Sequence, residues 1–175
     1  IQPGNALRAL DSLGTAAACL EAGFAYDGYD YCDAQGRLLH AVPSPRVGEF
    51  WPAYNGILRS RLHEILLSAA RRGGASLYLG ITWTALTQYD DRVAVAFSDG
   101  RQVEYDLVVG ADGIYSPLRE RCFGPAHAPR ATGQSVWRLT LPRPPSMNRG
   151  VMMSAPRRKA GFIPLSSELM YLLLV

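Results

Sequence analysis

Apolar residues recur at helical spacing over two stretches of the chain. Leu7, Leu10 and Leu13 mark the first, and they predict a short amphipathic helix from Asn5 to Leu13, capped by the Asn5 side chain and stopped at Gly14. Thr15 to Ala22 continues as an alanine-rich helix ended by Gly23, at a position expected to need a positive φ. Leu58, Leu62, Ile65, Leu66 and Ala69 mark the second stretch, with Arg59, Arg61, Glu64, Arg71 and Arg72 largely off that face. This predicts a helix of about fifteen residues closed by Gly73-Gly74.

Elsewhere the pattern is that of strands and turns. GYDYCD and RLLHAV flank Ala34-Gln35-Gly36 and predict a hairpin near 28–42, outside the main layer. PSPRVGEFWPAYNG (43–56) reads as a loop packed by its own large groups, Val47, Phe50, Trp51 and Tyr54. Residues 75–111 predict an antiparallel meander broken near Asp90-Asp91 and Asp99-Gly100, leading into a buried strand at Leu107 to Gly110. Ser116-Pro117 is a cap followed by proline at the first helical position, so a helical turn should run from Pro117 to Arg121. Beyond a linker, SVWRLTL, VMMS, GFIPL and LMYLLLV predict strands of a second sheet. The expected class is a mixed α/β fold with an antiparallel excursion, divided between residues 1–128 and 129–175.

Composition narrows the classes. With 48% apolar residues and a formal charge of +3 over 175 residues, neither a disordered charged tail nor a disulfide miniprotein is expected. Cys19, Cys32 and Cys122 are odd in number and lack a CxxC spacing, which points to a reducing, cytoplasmic setting. No apolar run has the length of a membrane span. His40, His63 and His127 are scattered and predict no metal site. Charge is uneven: residues 130–175 hold seven basic groups and a single acid, Glu168. Arg157, Arg158 and Lys159 lack any surrounding nucleic-acid signature; they read as a solvated loop or as a wall attracting an anion. The chain begins at Ile1 without an initiator methionine and stops in YLLLV, so it is expected to be an internal piece of a longer protein.

GADGIYSPLR (110–119) carries the candidate chemistry. Gly110 and Gly113 let the backbone approach a bulky partner, and Asp112 between them suits a carboxylate that accepts hydrogen bonds from ribose or ribityl hydroxyls. A tight Asp-Gly turn before a capped helix explains the same residues. Both readings stand at this point.

The segment resembles the Asp-Gly motif of the flavoprotein aromatic hydroxylases, the para-hydroxybenzoate-hydroxylase-like FAD-dependent monooxygenases. NALRALDSLG, LRSRLHEIL and GFIPLSSELMYLLLV are similar to further stretches of that family. The resemblance implies an incomplete FAD/NAD(P)-binding three-layer fold in 1–128, the small hairpin being an excursion from it, and the start of a β-rich substrate domain in 129–175. It implies FAD as cofactor, NAD(P)H as co-substrate, and hydroxylation of an electron-rich aromatic or hydroxypyridine substrate with O₂. Asp112 and Gly113 match the motif core that contacts FAD near its pyrophosphate and ribityl portion. Arg119 matches the arginine that orders the loop and contributes to the nicotinamide-nucleotide surface. Arg59 matches an arginine reaching the phosphate-ribityl region, where a rigid fork of donors suits anionic oxygens; a solvated helical arginine is the plainer reading. Arg138, Phe162, Met170 and Tyr171 are candidates for the substrate wall, and no catalytic base is assigned.

The expected partner is a small aromatic molecule, with a homodimer left open and neither nucleic acid nor membrane involved. Another FAD-dependent oxidoreductase of this fold (a halogenase, epoxidase or reductase) and a noncatalytic module are the alternatives. The chain lacks the family's Gly-x-Gly-x-x-Gly loop and its later Gly-Asp segment. Extending the reading frame upstream should therefore reveal that glycine loop within roughly 30 to 60 residues of Ile1; an upstream sequence without it would count against flavin binding.

Overall fold

The computed structural model describes every residue except Val47 and Glu49. In chain order the elements are β1 (Gln2–Pro3), α1 (Gly4–Ser12), α2 (Ala16–Glu21), β2 (Phe24–Tyr26), β3 (Gly28–Cys32), β4 (Leu38–Pro43), β5 (Tyr54–Gly56) and α3 (Arg59–Arg72). Then follow β6 (Trp83–Gln88), β7 (Val93–Phe97), β8 (Gln102–Tyr105), α4 (Pro117–Phe123), β9 (Trp137–Pro142), β10 (Gly150–Ala155), β11 (Arg158–Pro164) and β12 (Leu169–Leu174). Contacts divide the chain into two compact units, one of residues 1–75 with 134–175, the other of residues 76–133.

The first unit holds two sheets. One is three-stranded, in the order β1-β5-β2; the other is six-stranded, in the order β4-β3-β10-β11-β12-β9. The hairpin expected to stand outside the main layer is an integral part of the larger sheet. Its strand β3 pairs parallel to β10, with Gly150 opposite Tyr29 and Met153 opposite Cys32. Arg149 fixes this junction: its guanidinium pairs with Asp30 at 2.8 Å and donates to the Val42 carbonyl at 3.0 Å. One side chain thus ties β3, β4 and the start of β10 together.

The two sheets of this unit meet through β5. Asn55 is fully buried, and its amide nitrogen donates to Gln2 Oε1 and to the Cys19 carbonyl, both at 2.8 Å. A Cβ on Gly56 would overlap the Pro164 carbonyl, so β5 lies directly against the end of β11. Gly23 serves the same packing. Its φ is not positive, contrary to expectation; a Cβ there would collide with the Asn55 amide and the Gly56 carbonyl. Close approach, not left-handed backbone, requires this glycine.

Helix α1 begins one residue earlier than expected, with Pro3 at the N-cap, so Asn5 lies inside the first turn and caps nothing. The 43–56 segment also differs from its expectation. Tyr54 enters β5 and stacks on Tyr26 with ring centroids 5.3 Å apart, whereas Phe50 is 88% exposed. Val47 lies outside the described residues. Proline and glycine leave this segment no repeating apolar face; among its described residues, those that are buried are Ala53 and, within β5, Asn55 and Gly56.

The second unit contains the predicted meander, β6-β7-β8, with turns at the two expected Asp-containing sites. Its core is Leu86, Val93 and Val95, joined by Trp83, Phe97, Val108 and Leu118. The expected buried strand at Leu107 to Gly110 is absent. No described strand pairs with this run, and Leu107 and Val109 are 76% and 75% exposed. Strand conformation needs a partner for its backbone groups. Without one, only Val108 turns inward, onto the meander.

Replacing Asn55 by Ala leaves the buried Gln2 oxygen and Cys19 carbonyl unpaired. It should lower unfolding stability by about 3 kcal/mol, measured by denaturant titration. A change below about 0.5 kcal/mol, as for surface substitutions, would show that the amide is not the link between β1, α2 and β5.

Candidate functional site

Two loci carry the expected site residues, one in each unit. In the second unit, Asp112 is held by its own loop. Its Oδ1 accepts from the Ser116 hydroxyl at 2.5 Å and its Oδ2 from the Leu118 amide at 3.2 Å. Ser116 Oγ in turn accepts from the Arg119 amide at 2.9 Å, the expected cap, and α4 runs on to Phe123. Gly113 has φ +85° with open space around it, so the turn conformation accounts for this glycine. The Arg119 guanidinium donates to the Ile114 carbonyl at 2.6 Å, which matches a loop-ordering role.

Asp112 is thus an acceptor satisfied by hydroxyl and amide donors. The Ser116 hydroxyl, ahead of the Leu118 amide and the Arg119 charge, holds its carboxyl below the ordinary carboxylate value. The loop rests on the meander through Val108 and Leu118, and a Cβ on Gly110 would meet Leu118 Cδ2 at 2.7 Å. Arg121 adds a clamp from α4 to the Leu86 carbonyl at 2.5 Å.

The second locus is a cavity of about 620 Å³ in the first unit, between the start of α3 and the β9–β12 edge. Arg59 is the first residue of α3, reached directly from β5 through the buried Ile57. Arg138 and Thr140 come from β9 and Tyr171 from β12, and all three line the cavity with Arg59. The sheet register explains the grouping. Tyr171 stands opposite both Thr140 and Ile163, and Arg138 is two residues along β9 from Thr140, so all project from one face.

Phe162 and Met170 fall on the other face, Phe162 opposite Leu172 and Met170 opposite Leu141. The four wall candidates therefore divide two and two, and only Arg138 and Tyr171 share the cavity with Arg59. Gln2 and Thr140 are wall residues that the sequence did not single out. Gln2 precedes the first periodic helix and joins the cavity only through the pairing of β1 with β5, which no local signal announces. Burial raises the Tyr171 phenol above its ordinary value, with Arg138 opposing, so the hydroxyl stays protonated at neutral pH and can donate.

Among the described residues no cluster of His, Cys, Asp and Glu could hold a metal ion. No helix among them is long and apolar enough to cross a membrane.

These features define an α/β protein of the FAD-binding type, with an antiparallel meander and a separate β-rich part. The family described as FAD binding domain matches residues 4–172, and the chain belongs to it. The YetM protein of Bacillus subtilis (strain 168) is 28% identical over 173 residues, covering 98% of this chain and 47% of that protein. The 2-heptyl-3-hydroxy-4(1H)-quinolone synthase of Pseudomonas aeruginosa (strain UCBPP-PA14) is 29% identical over 168 residues, 95% of this chain and 43% of the enzyme. Among solved structures, the tetrameric form of 2-methyl-3-hydroxypyridine-5-carboxylic acid oxygenase superposes with a TM-score of 0.74 at 23% identity, over 98% of this chain and 46% of the other. The chain spans just under half the length of these relatives. Similarity to FAD-dependent monooxygenases acting on aromatic and heteroaromatic compounds runs through the set.

Because the folded Asp112 carboxyl is held low, its contribution to loop order is present above the unfolded carboxylate value near 3.9 and is lost as pH falls through the depressed folded value. Protection of the Leu118 and Arg119 amides, taken relative to their intrinsic exchange rates, should be present at pH 5 and fall below about pH 4; Asp112→Ala should show the low protection already at pH 5. Identical protection in the two proteins at pH 5 would remove the carboxylate from its loop-holding role.

Proposed function

We propose that this chain supplies part of the cofactor and substrate sites of an FAD-dependent monooxygenase that hydroxylates an electron-rich aromatic or hydroxypyridine compound with NAD(P)H and O₂. Residues 1–128 serve chiefly the cofactor and residues 129–175 the substrate. The observation that carries the reading is the cavity in which Arg59 meets Arg138, Thr140 and Tyr171. A dinucleotide-facing cation and a substrate-facing wall belong side by side when a bound ring must react with a bound cofactor.

The donor set fits FAD. Arg59 has no ion pair or hydrogen bond within the described residues, so its fork of donors is free for phosphate or ribityl oxygens. Asp112 and Gly113 present a preorganised turn with an exposed carboxylate for hydroxyls, and Arg119 steadies that turn. Bound flavin supplies the electron transfer and oxygen activation. The part of the first unit is to offer Arg59 to anionic cofactor oxygens and to orient the ring against Tyr171 and Thr140. The relatives' names leave the substrate open, since they include a quinolone and a pyridine carboxylic acid.

The full-length protein should purify with flavin absorbance or take up FAD on reconstitution, and aromatic ligands should accelerate its NAD(P)H oxidation. Arg59→Gln should lower flavin retention by about tenfold or more, the scale of one lost charge-assisted contact. A full-length protein that takes up no flavin would end the oxygenase reading. Full uptake with no change on Arg59→Gln would remove Arg59 from the cofactor site.

A further inference from the structure

We infer that the sheet face turned away from the Arg59 cavity carries a second ligand site: a trough over Ala160 that takes a straight-chain anionic amphiphile, a medium-chain carboxylate, with its head at Arg158. The site stands independently of the oxygenase reading.

Strand register builds the trough. Met153 of β10 stands opposite Ala160 of β11, Ala160 opposite Leu174 of β12, and Leu174 opposite Trp137 of β9. Opposed residues share a face, so the small Ala160 lies between the longer side chains of Met153 and Leu174. Arg158 and Phe162 lie two positions from Ala160 in either direction along β11, on the same face. Along this strand the face therefore reads cation, methyl, ring over about 13 Å, at 3.3 Å per residue. None of these side chains is buried; Trp137 is 76% exposed and Leu174 45%.

At the Arg158 end the trough opens into a cavity of about 680 Å³. Arg158 and Lys159 are the charged residues lining it, and apart from Ser154 the rest of the lining is apolar. One wall is the β3–β4 turn, where a Cβ on Gly36 would come within 3.8 Å of Met153 Cε. The acid of that turn, Asp33, is taken by its own loop. Its Oδ1 accepts from the Gln35 and Arg37 amides and its Oδ2 from the Arg37 guanidinium at 3.0 Å. The other wall is the β10–β11 turn at Pro156-Arg157. Proline first and φ +64° second define a type II turn, whose second central position favours glycine, yet Arg157 occupies it. No carboxylate pairs with Arg157, Arg158 or Lys159 among the described residues. Other exposed arginines lack a partner too; these three cations differ in standing at the mouth of an apolar trough.

A concave, mostly apolar site with one charged end takes a ligand of the same build. The guanidinium fork of Arg158 matches a carboxylate. A bare inorganic anion would gain nothing from Met153, Ala160 and Leu174, whereas an alkyl chain laid along Ala160 toward Phe162 leaves water. The concavity suits a single chain better than the flat surface of a bilayer.

The test uses the full-length protein at pH 7.5. Titration calorimetry follows octanoate, decanoate and dodecanoate below their micelle concentrations, with decanol as the neutral counterpart. Affinity should rise by about twofold or more per added CH₂, and decanoate should bind about tenfold or more tightly than decanol. Arg158→Gln should remove that preference while leaving decanol affinity within about twofold, and Arg158→Lys should restore part of it. Leu174→Asp, at a position already exposed to solvent, should abolish binding of both. Circular dichroism and thermal unfolding check that each variant is folded.

No binding of any chain would show the trough filled by another part of the full-length polypeptide. Affinity independent of chain length, or equal for decanoate and decanol, would remove the alkyl floor or the anion from the site. Decanoate binding unchanged by Arg158→Gln and Leu174→Asp would place the ligand elsewhere. Sedimentation with phosphatidylcholine vesicles containing phosphatidylglycerol, without binding of monomeric decanoate, would make this face a membrane surface. Each of these results overturns the inference.

Discussion

The buried amide of Asn55 is the constraint on which the first unit depends. It reaches β1 through Gln2 and α2 through the Cys19 carbonyl, so three segments distant in sequence share one hydrogen-bonded point. Desolvating an amide is unfavourable unless its donors are used, and here the Asn55 nitrogen meets two acceptors. The next residue, Gly56, allows the backbone of Pro164 to lie against β5. Arg59 follows three residues later at the head of α3. The position of a candidate cofactor-binding cation is thereby set by a buried asparagine and by the absence of a single methyl group.

The two faces of the six-stranded sheet then do different work. Strand alternation sends Arg138, Thr140 and Tyr171 to the face that carries the fully buried Ile163. It sends Phe162, Met170 and Leu172 to the opposite face, together with Leu139 and the exposed Trp137. Sequence proximity thus gives the wrong neighbours. Met170 and Tyr171 are adjacent in the chain yet stand on opposite sides, while Tyr171 and Arg138 are 33 positions apart and line one cavity. The same rule of period two that predicts a strand also divides any pair of consecutive candidates.

What could be read from the sequence follows from this difference between local and distant terms. Helix α3, the meander of β6 to β8 and the Ser116 cap rest on periodicity, turn residues and capping chemistry within a few positions, and these appear as expected, as does α1 apart from its Asn5 cap. The parallel pairing of β3 with β10 joins residues about 120 apart, and no local signal encodes it. The 107–110 run failed for the complementary reason. Its valines have strand propensity, but propensity is satisfied only where another backbone stands alongside. Gly23 shows the limit for single residues: glycine was legible as a requirement, but whether φ or packing imposed it depended on Asn55, which lies 32 positions away.

Charge shows the same limit. The basic excess of residues 130–175 looks like one feature in the sequence, yet the structure disperses it. Arg149 is absorbed by Asp30, and Arg143 lies over the Phe24 ring while donating to the Ser167 and Met147 carbonyls. Arg158 and Lys159 lie at the start of β11, beside a turn where Arg157 adopts φ +64°. Arg138 is the basic residue of this segment that reaches the cavity of Arg59. Net charge sets a long-range field that salt screens within about 10 Å. Which guanidinium lines a given cavity depends instead on strand register. A basic count of seven therefore says nothing of which guanidinium faces the cavity, whereas the register that sets Arg138 two residues from Thr140 on β9, with Tyr171 opposite Thr140, does.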